Sequence, residues 1–330
     1  MLKKLGGIAA IALSLSLAPP ALAQAQKIRV GYWTSGVSLG FGATMEQMKF
    51  LEKQGLQVEW VKFSDVNGPT RAIVSGAIDV GFGASAAGAL SIAAEGVPVK
   101  IFLATQLAEV QFVVLENSPL KSLADLKGRK IGMSPSGSAT HAIATALLEG
   151  NYGLKAGDYE AVPGNEGRLA QFLAQGEVQV AALRGTTIAQ MNELKLRVLG
   201  NYGDEWKKLT KSAAQPVIGV GIVYNDFLVK HPDAVSRFVL GMKETLDYGA
   251  KNPKAVADIL QKTANINAED AAAYAAQWNA SYVVSMEPGD IAMLKRMADI
   301  FRKAGAVKKD VPDSAFIAEP YLKAKAQFRR

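Results

Sequence analysis

Two stretches of sequence decide the fold of this chain: IVSGAIDVG at residues 73–81 and FLAQGEVQVA at residues 172–181. In each, an apolar helical run stops at a glycine, Gly76 or Gly176, and a run with two β-branched residues, typical of the start of a strand, follows. A second pair lies at a similar spacing, where strands near residues 30 and 131 each lead into a loop rich in glycine and hydroxyl groups and then into a helix. The repeat predicts two similar α/β units.

The loops that leave these strands are where a ligand is expected. Strands alternating with helices predict mostly parallel sheets with helices on both faces, and such sheets bind ligands at the carboxyl ends of their strands. If the two units face each other, four loops meet at one cleft: residues 33–38, 83–85, 134–140 and 184–187.

The same patterns predict where some helices end and how the chain continues after the second unit. Apolar spacing predicts that the first helix runs on to Gly55 and that the helix over 142–148 ends at Gly150. From residue 215 onward the chain begins with one buried strand and becomes helical, so we expect this part to pack back on the first unit rather than form a third domain.

The composition excludes several kinds of chemistry. The chain has 330 residues, no cysteine and two histidines, which excludes a thiolate nucleophile and cysteine-based metal sites. Its formal charge is +7, but the basic residues form no long run with interleaved aromatic residues, as nucleic-acid binding requires. Neither His141 nor His231 stands at a catalytic or metal-ligating spacing. We therefore expect no catalytic residue, no cofactor and no metal.

The N-terminal segment is typical of a cleaved secretory signal peptide. Lys3 and Lys4 precede an apolar stretch at residues 5–18, and the small residues Ala21 and Ala23 stand where a signal peptidase reads. Cleavage after residue 23 predicts a periplasmic protein with a charge of +5, since the two lysines are removed. A retained anchor is the alternative, although the apolar stretch is short for a bilayer span.

The stretch SPSGSATH at residues 134–141 carries the clearest chemical signal. It lies between a predicted strand and a predicted helix, contains four hydroxyl groups, and has Gly137 where the backbone must approach a neighbour closely. Free N–H groups at a helix start bind anions, whereas an ordinary helix cap is the alternative. The stretch lacks the spacing of a phosphate-binding loop, and no dinucleotide-binding glycine pattern follows a strand, so nucleotide cofactors are not expected.

Three further side chains are candidates for ligand contacts. Arg184 directly follows a predicted strand, and its planar guanidinium can hold a carboxylate or sulfonate by two parallel hydrogen bonds. Trp33 can stack on the organic body of a ligand, and Ser85 offers a hydroxyl at a helix start. Each has a plainer alternative: a surface arginine, a tryptophan that covers the edge of a lobe, and a helix cap.

Taken together, these features resemble the periplasmic substrate-binding proteins of ABC importers for sulfonates, taurine and nitrate, a group that includes thiamine-precursor binders. The resemblance rests on the signal peptide and on KIRVGY at 27–32, SGAIDVG at 75–81 and SLADLKGRKIG at 122–132, which runs into SPSGS at 134–138. It covers nearly the whole chain after the signal peptide. The matching stretches mostly encode the scaffold, so they specify the family more than the ligand.

The resemblance implies a type II periplasmic binding protein fold, an α/β fold of two lobes, each a mostly parallel sheet flanked by helices. Two crossing strands join the lobes, and we place them near residues 107–115 and 212–221. Lobe 1 then comprises residues 24–107 and 216–330, and lobe 2 comprises residues 108–215. The family also implies a monomer that closes around one solute and delivers it to a membrane permease with a cytoplasmic ATPase.

Ligand positions carry over from the family to residues of this chain. With Ser134 and Arg184 added, the predicted ligand-binding residues are Trp33, Thr34, Ser35, Ala84, Ser85, Gln106, Ser134, Ser136, Gly137, Ser138, Ala139, Thr140 and Arg184. Relatives often have an aromatic and acidic sequence ending in proline where this chain reads RGTT at residues 184–187. The difference favours an anion with a body that stacks on tryptophan.

The sequence therefore predicts the periplasmic solute-binding component of an ABC importer. Its expected ligand is a small organic anion, either a sulfonate such as taurine or an aromatic carboxylate, with an inorganic anion such as nitrate as the alternative. No enzyme activity is expected. Two other functions stay open: an enzyme on the same scaffold that resembles thiamine-pyrimidine synthases, and a solute sensor for a membrane receptor.

Overall fold

The structure of the protein, a computed structural model, describes residues 25–191 and 193–328, so the predicted signal peptide lies outside the described residues. The strands are β1 Gln26–Trp33, β2 Leu56–Phe63, β3 Val80–Ser85, β4 Val99–Leu107, β5 Val110–Leu115, β6 Lys130–Met133, β7 Glu160–Pro163, β8 Val180–Arg184, β9 Leu196–Asn201, β10 Val217–Tyr224 and β11 Tyr282–Ser285. The helices are α1 Gly36–Gln47, α2 Gly68–Val74, α3 Ala86–Ala94, α4 Ala139–Tyr152, α5 Glu166–Ala174, α6 Gly185–Ala189, α7 Tyr202–Thr210, α8 Asn225–Lys230, α9 Pro232–Lys251, α10 Pro253–Ala264, α11 Ala268–Ala276, α12 Trp278–Ser281, α13 Pro288–Lys303 and α14 Glu319–Phe328.

The strands form two sheets, and helices flank both. Sheet A has the order β11-β4-β10-β3-β1-β2, and sheet B has the order β7-β6-β8-β5-β9. In sheet A, β1 pairs in parallel with β2 and β3; in sheet B, β6 pairs in parallel with β7 and β8. The predicted α/β architecture with two sheets flanked by helices is confirmed.

Most strands of each sheet run in one direction, as predicted: β1, β2, β3 and β4 in sheet A, and β6, β7, β8 and β9 in sheet B; the remaining strands add antiparallel pairs that were not predicted. Strand β10 runs antiparallel to β3 and β4, β11 runs antiparallel to β4, and β5 runs antiparallel to β8 and β9. The cause is the route of the chain between the sheets. Because β10 returns from sheet B to the carboxyl ends of β3 and β4, it must run against them, and β5 enters sheet B from the same side.

Two short connections join the sheets. The chain leaves sheet A between β4 and β5 through residues 108–109 and returns between α7 and β10 through residues 211–216. The backbone N–H of Ala108 donates to the carbonyl of Pro216 at 3.0 Å, so the connections are hydrogen-bonded side by side. The part built on sheet A is called lobe 1, and the part built on sheet B is called lobe 2.

Two predicted helix ends are wrong. Helix α1 ends at Gln47, because Lys49 adopts a left-handed conformation with φ of 53°, and Gly55 instead ends a short 3-10 turn. Helix α4 continues through Gly150 and ends at Tyr152, followed by the C-cap residue Gly153, whose φ is 70°. Gly150 lies inside the helix where α7 packs against it. A Cβ at this position would lie 2.4 Å from a methyl carbon of Leu209, so only glycine permits this close packing.

Aromatic packing holds α1 on sheet A with its first turn at the cleft. The ring of Phe41 stacks on Trp278 with centroids 5.5 Å apart, and the rings of Tyr32 and Phe82 stack beneath it at 5.0 Å. Trp278 comes from the C-terminal part, which also adds β11 to the edge of sheet A. This short strand was not predicted from the sequence, but the C-terminal part packs on the first unit, as expected.

No helix within residues 25–191 and 193–328 has the length and apolar character needed to cross a membrane.

Candidate functional site

The two lobes meet at the carboxyl ends of their parallel strands, where helices α1, α3 and α4 begin. The N-terminal ends of these helices carry partial positive charge and unpaired backbone N–H groups. Between them lies a cavity of about 10 Å³. It is lined by Trp33, Val37, Val66, Gly83, Ser85, Gln106, Ser138, Ala139, Thr140, Arg184 and Ile218.

Seven of the thirteen predicted ligand-binding residues come together on this cavity: Trp33, Ser85, Gln106, Ser138, Ala139, Thr140 and Arg184. Val37, Val66 and Ile218 were not among the predicted ligand-binding residues, since nothing in the sequence distinguishes them from ordinary apolar core residues. Gly83 stands in the loop at residues 83–85 that was predicted to meet the cleft, but it was not counted among the ligand-binding residues. It has a φ of 60° at the end of a strand, which is a conformation that favours glycine.

The other six predicted residues lie in the same loops without lining the cavity. The Thr34 hydroxyl donates to the carbonyl of Phe63 at 3.1 Å, Ser35 is the N-cap residue of α1 without a side-chain cap bond, and Ala84 is buried inside β3. The carbonyl of Ser134 lies 3.2 Å from His141 Nδ1. Ser136 and Gly137 are exposed and line a larger groove on the outer side of the cleft.

Arg184 is the only charged residue that lines the cavity among the described residues. It is the last residue of β8 and the N-cap of α6, and its side chain is 7% exposed. Its Nη1 donates to Glu166 Oε1 at 2.5 Å, and its Nη2 lies 3.5 Å from the hydroxyl of Thr140. Its Nε is buried and has no hydrogen-bond partner. Because a buried donor is normally hydrogen-bonded, the unpaired Nε indicates that a ligand supplies its acceptor.

Glu166 is a functional residue that sequence analysis missed. It lies at the start of α5, and its Oε2 accepts hydrogen bonds from the Arg184 backbone N–H at 3.2 Å and from the Thr187 hydroxyl at 2.8 Å. Together with the ion pair, these bonds fix the position of the arginine. A helix-start glutamate is common in any sequence, and Glu166 lies 18 positions before Arg184, a spacing that gives no signal of contact.

Two helix-cap serines face each other across the cleft. Ser85 Oγ accepts from the Gly88 N–H at 3.2 Å and also donates across to the carbonyl of Gly137 at 3.0 Å. Ser138 Oγ accepts from the His141 N–H at 3.2 Å. Each serine therefore caps its helix, which is the alternative role that the sequence left open. Ser85 also joins the two lobes through its bond to Gly137.

Trp33 faces Arg184 across the cleft. Its indole Nε1 donates to the carbonyl of Ser64 at 3.2 Å, and the guanidinium carbon of Arg184 lies 5.8 Å from the ring centroid. The ring covers Gly36, where a Cβ would come within 2.4 Å of it. An aromatic face opposite a cation suits a ligand with an acid group and a flat or apolar body.

Gln106 is held in place by glycines on both sides. Its Nε2 donates to the buried hydroxyl of Ser38 at 2.8 Å. A Cβ at Gly83 would lie 2.7 Å from Gln106 Nε2, and a Cβ at Gly219 would lie 2.2 Å from its Oε1. The amide therefore occupies a slot that only glycines leave open, and its orientation toward the cavity depends on them.

Two buried tyrosines support the first turn of α1. Tyr274 Oη lies 2.8 Å from the carbonyl of Gly36 and accepts from the Gly40 N–H at 3.0 Å, so it bridges a helical hydrogen bond. Tyr282 Oη donates to the carbonyl of Val37 at 2.5 Å. Burial raises the pKa of Tyr274 to about 12, so both its donor and its acceptor functions persist at neutral pH.

The outer groove is much larger than the cavity, about 700 Å³ against about 10 Å³. Half of its lining is alanine and glycine, and the lining also includes Arg71 and Lys308. The unpaired guanidinium donor and the capping serines lie on the cavity, so we assign the chemistry there. His141 lines the groove, and burial lowers its pKa, which favours the neutral imidazole.

The residues that the structure describes contain no group of three or more histidine, aspartate or glutamate side chains that could hold a metal ion.

The fold and cleft are those of the two-lobed α/β binding-protein class. The chain belongs to the NMT1/THI5-like family, whose model matches residues 44–256. It is 26% identical over 324 residues to a Brucella abortus protein that is provisionally named a binding protein, covering 96% of this chain and 98% of that one.

Two further similarities concern proteins of known ligand class. The taurine-binding periplasmic protein of Escherichia coli is 28% identical over 219 residues, covering 66% of this chain and 64% of that protein. The alkanesulfonate-binding protein SsuA from Xanthomonas axonopodis pv. citri, solved bound to MOPS, has a TM-score of 0.74 at 19% identity, covering 90% of this chain and 99% of that one. The second similarity shows a shared fold.

Proposed function

We propose that this protein is the solute-binding component of an ABC importer in the periplasm. It captures a small organic anion between its lobes and delivers it to a membrane permease that works with a cytoplasmic ATPase. Full-length similarity to a protein named as a binding protein, and similarity to a periplasmic taurine-binding protein, support the role and the compartment.

The observation that carries the proposal is the unpaired Nε of Arg184. The guanidinium is held on its Nη1 side by Glu166, while its Nε and Nη2 edge has only a 3.5 Å contact with Thr140. Such an edge accepts a carboxylate or a sulfonate through two parallel hydrogen bonds. The N-terminal ends of α3 and α4 lie beside it and favour the same negative group.

Capture requires the lobes to separate and close again. The cavity of about 10 Å³ is close to the smallest that holds one water, so an organic anion enters only when the lobes open. Trp33 and Ser85 belong to lobe 1, whereas Thr140 and Arg184 belong to lobe 2. A ligand that contacts both sets favours closure by its differential affinity for the two forms.

Two ligand classes fit these donors: an aliphatic sulfonate such as taurine, and an aromatic carboxylate. The relatives named for taurine and alkanesulfonate binding favour the sulfonate. The indole of Trp33 opposite Arg184 favours a body that stacks on an aromatic ring, which the carboxylate provides.

A thermal-shift screen over alkanesulfonates, taurine, benzoates, phthalates and nitrate tests the proposal. A ligand at about 100 times its Kd adds about 2.7 kcal/mol to the free energy of unfolding, which raises Tm by several degrees. A bound anion identified in this way is then titrated by calorimetry. If no anion of the panel raises Tm at millimolar concentration, the proposal is wrong.

Incubation of the protein with the bound anion separates the binding role from the enzyme alternative. We expect the anion to be recovered unchanged by chromatography, whereas a new product would support an enzyme on this scaffold. Uptake of the anion by membrane vesicles that contain the permease and ATPase then distinguishes an importer component from a receptor's sensor.

A further inference from the structure

The charged groups around the cavity do not add up to a strongly positive site. Arg184 supplies one positive charge, and Glu166 neutralises it through a contact of 2.5 Å. A second carboxylate, Glu109, accepts the backbone N–H of Gly185 at 2.8 Å, directly after Arg184. Burial lowers the pKa of His141 on the neighbouring helix α4, so its imidazole adds no lasting positive charge at neutral pH.

Glu166 is well placed to control how the arginine meets a ligand. Its side chain is 12% exposed, and its two oxygens accept three hydrogen bonds, from Arg184 Nη1, from the Arg184 N–H and from Thr187 Oγ1. These bonds occupy the Nη1 side of the guanidinium. Nε has no hydrogen-bond partner and Nη2 has only the 3.5 Å contact with Thr140, so this edge of the guanidinium is the one left for a ligand.

We propose that Glu166 is a specificity-determining residue that makes the site select singly charged over doubly charged anions and that positions the Nε edge of Arg184 for them. The inference rests on the proposed function. A monoanion is held by one guanidinium edge, helix N-termini and hydroxyl groups, all of which are available. A dianion carries a second negative charge, which Glu166 repels and which no second cation among the described residues that line the cavity balances.

Isosteric pairs of ligands measure this selection directly. Benzenesulfonate and phenylphosphonate, and likewise ethanesulfonate and ethylphosphonate, share a tetrahedral head with three oxygens. At about pH 9.5, well above the second pKa of the phosphonates, the sulfonates carry one negative charge and the phosphonates carry two. Calorimetry on the full chain gives a Kd for each ligand, and the ratio of the phosphonate Kd to the sulfonate Kd is taken within each pair. Because the two members of a pair share the same organic group, its contribution cancels in this ratio.

Three variants separate charge from positioning. Glu166→Gln removes the charge and keeps the size, Glu166→Asp keeps the charge and shortens the reach, and Glu160→Gln is the matched control. The control makes the same change from a carboxylate to an amide, but at a site away from the cleft. Glu160 stands at the start of the edge strand β7, beside Lys130 at the start of β6.

We expect wild type to prefer the sulfonate by at least about tenfold in Kd. In a partly buried site, the repulsion between the Glu166 carboxylate and the second negative charge of the phosphonate is large enough to produce a difference of this size. Glu166→Gln should reduce the ratio about tenfold, Glu160→Gln should leave it unchanged, and Glu166→Asp should keep it while weakening both ligands.

Three results would count against the inference. Equal affinity of wild type for both members of a pair overturns it without any variant, which matters if Glu166→Gln does not fold. An unchanged ratio in folded Glu166→Gln, or a lost preference in Glu166→Asp, overturns it as well. If wild type binds neither sulfonate and no other anion of the screen, the proposed function is wrong.

Discussion

Replacing Arg184 separates what this residue does for stability from what it does for binding. Arg184→Met removes the positive charge and leaves Glu166 almost fully buried without its cationic partner. Because the side chains are only 7% and 12% exposed, solvent screening is weak, and we expect the free energy of unfolding to fall by about 3–5 kcal/mol. In the double variant with Glu166→Gln, both charges are absent, so most of this loss should be recovered.

Affinity should respond in a different order. In the single variant Arg184→Met, the bound anion loses the charge-assisted hydrogen bonds from Arg184. It is also repelled by the carboxylate of Glu166, which no longer has a cationic partner. The double variant lacks only the hydrogen bonds, so we expect it to lose about 1.5–3 kcal/mol of binding free energy, roughly 10- to 150-fold in Kd, and the single variant to lose more. Stability and affinity thus both rank the single variant lowest, but the double variant recovers stability far more than affinity.

Urea unfolding measures the first quantity, and calorimetry with the anion from the screen measures the second. Arg302→Met is the matched control, since Arg302 pairs with Asp310 at 2.8 Å on the surface, with side chains 46% and 87% exposed, and should cost at most about 1 kcal/mol. Wild-type affinity in both Arg184 variants would refute the assignment of Arg184 to the ligand. A double variant no more stable than the single one would refute the account of the buried pair.

Three further predictions test other parts of the site. Tyr274→Phe removes the hydroxyl that bridges the first turn of α1, and we expect a loss of about 1–3 kcal/mol in the free energy of unfolding, measured with urea, with weaker anion binding by calorimetry. Gly219→Ala places a Cβ 2.2 Å from Gln106 Oε1, so it should destabilise the fold by about 1–3 kcal/mol and displace the amide from the cavity, which calorimetry detects as lower affinity. Burial lowers the pKa of His141, so the unfolded chain binds that proton at a higher pH than the folded one; stability should fall as the pH drops from about 6.5 through the folded-state pKa. Thermal melts should show that His141→Gln is less sensitive to acid in this range, and equal sensitivity would contradict the account.

The repeat of two α/β units could be predicted because each copy contains a complete local signal. Gly76 and Gly176 both end a helical stretch and adopt positive φ, 69° and 73°, and a buried strand follows each of them. The direction of β10 had no such signal. An apolar strand has the same pattern whether it runs parallel or antiparallel, and its direction follows from the side on which the chain re-enters the sheet.

The candidate site was predictable where the residue type itself has a chemical preference. Serine at a helix start and arginine after a strand are visible in sequence, and Ser138 and Arg184 do line the cavity. Glu166 and Tyr274 act through contacts made 18 and 238 residues away, with Arg184 and Gly36, and these depend on the packing of separate elements. Val37 and Ile218 are ordinary apolar residues whose role follows only from where the lobes meet.

Closure and recognition depend on different contacts in this cleft. The hydrogen bonds from Ser85 to the Gly137 carbonyl at 3.0 Å and from Asn67 to the Ser136 carbonyl at 3.4 Å join the lobes through protein atoms alone. They therefore favour the closed form by the same amount for every ligand. The guanidinium edge of Arg184 contributes only through the bound anion, so discrimination between anions must come from this edge and its partner Glu166. Changes at the bridging bonds should shift affinity for all anions together, whereas changes at Arg184 or Glu166 should alter their order.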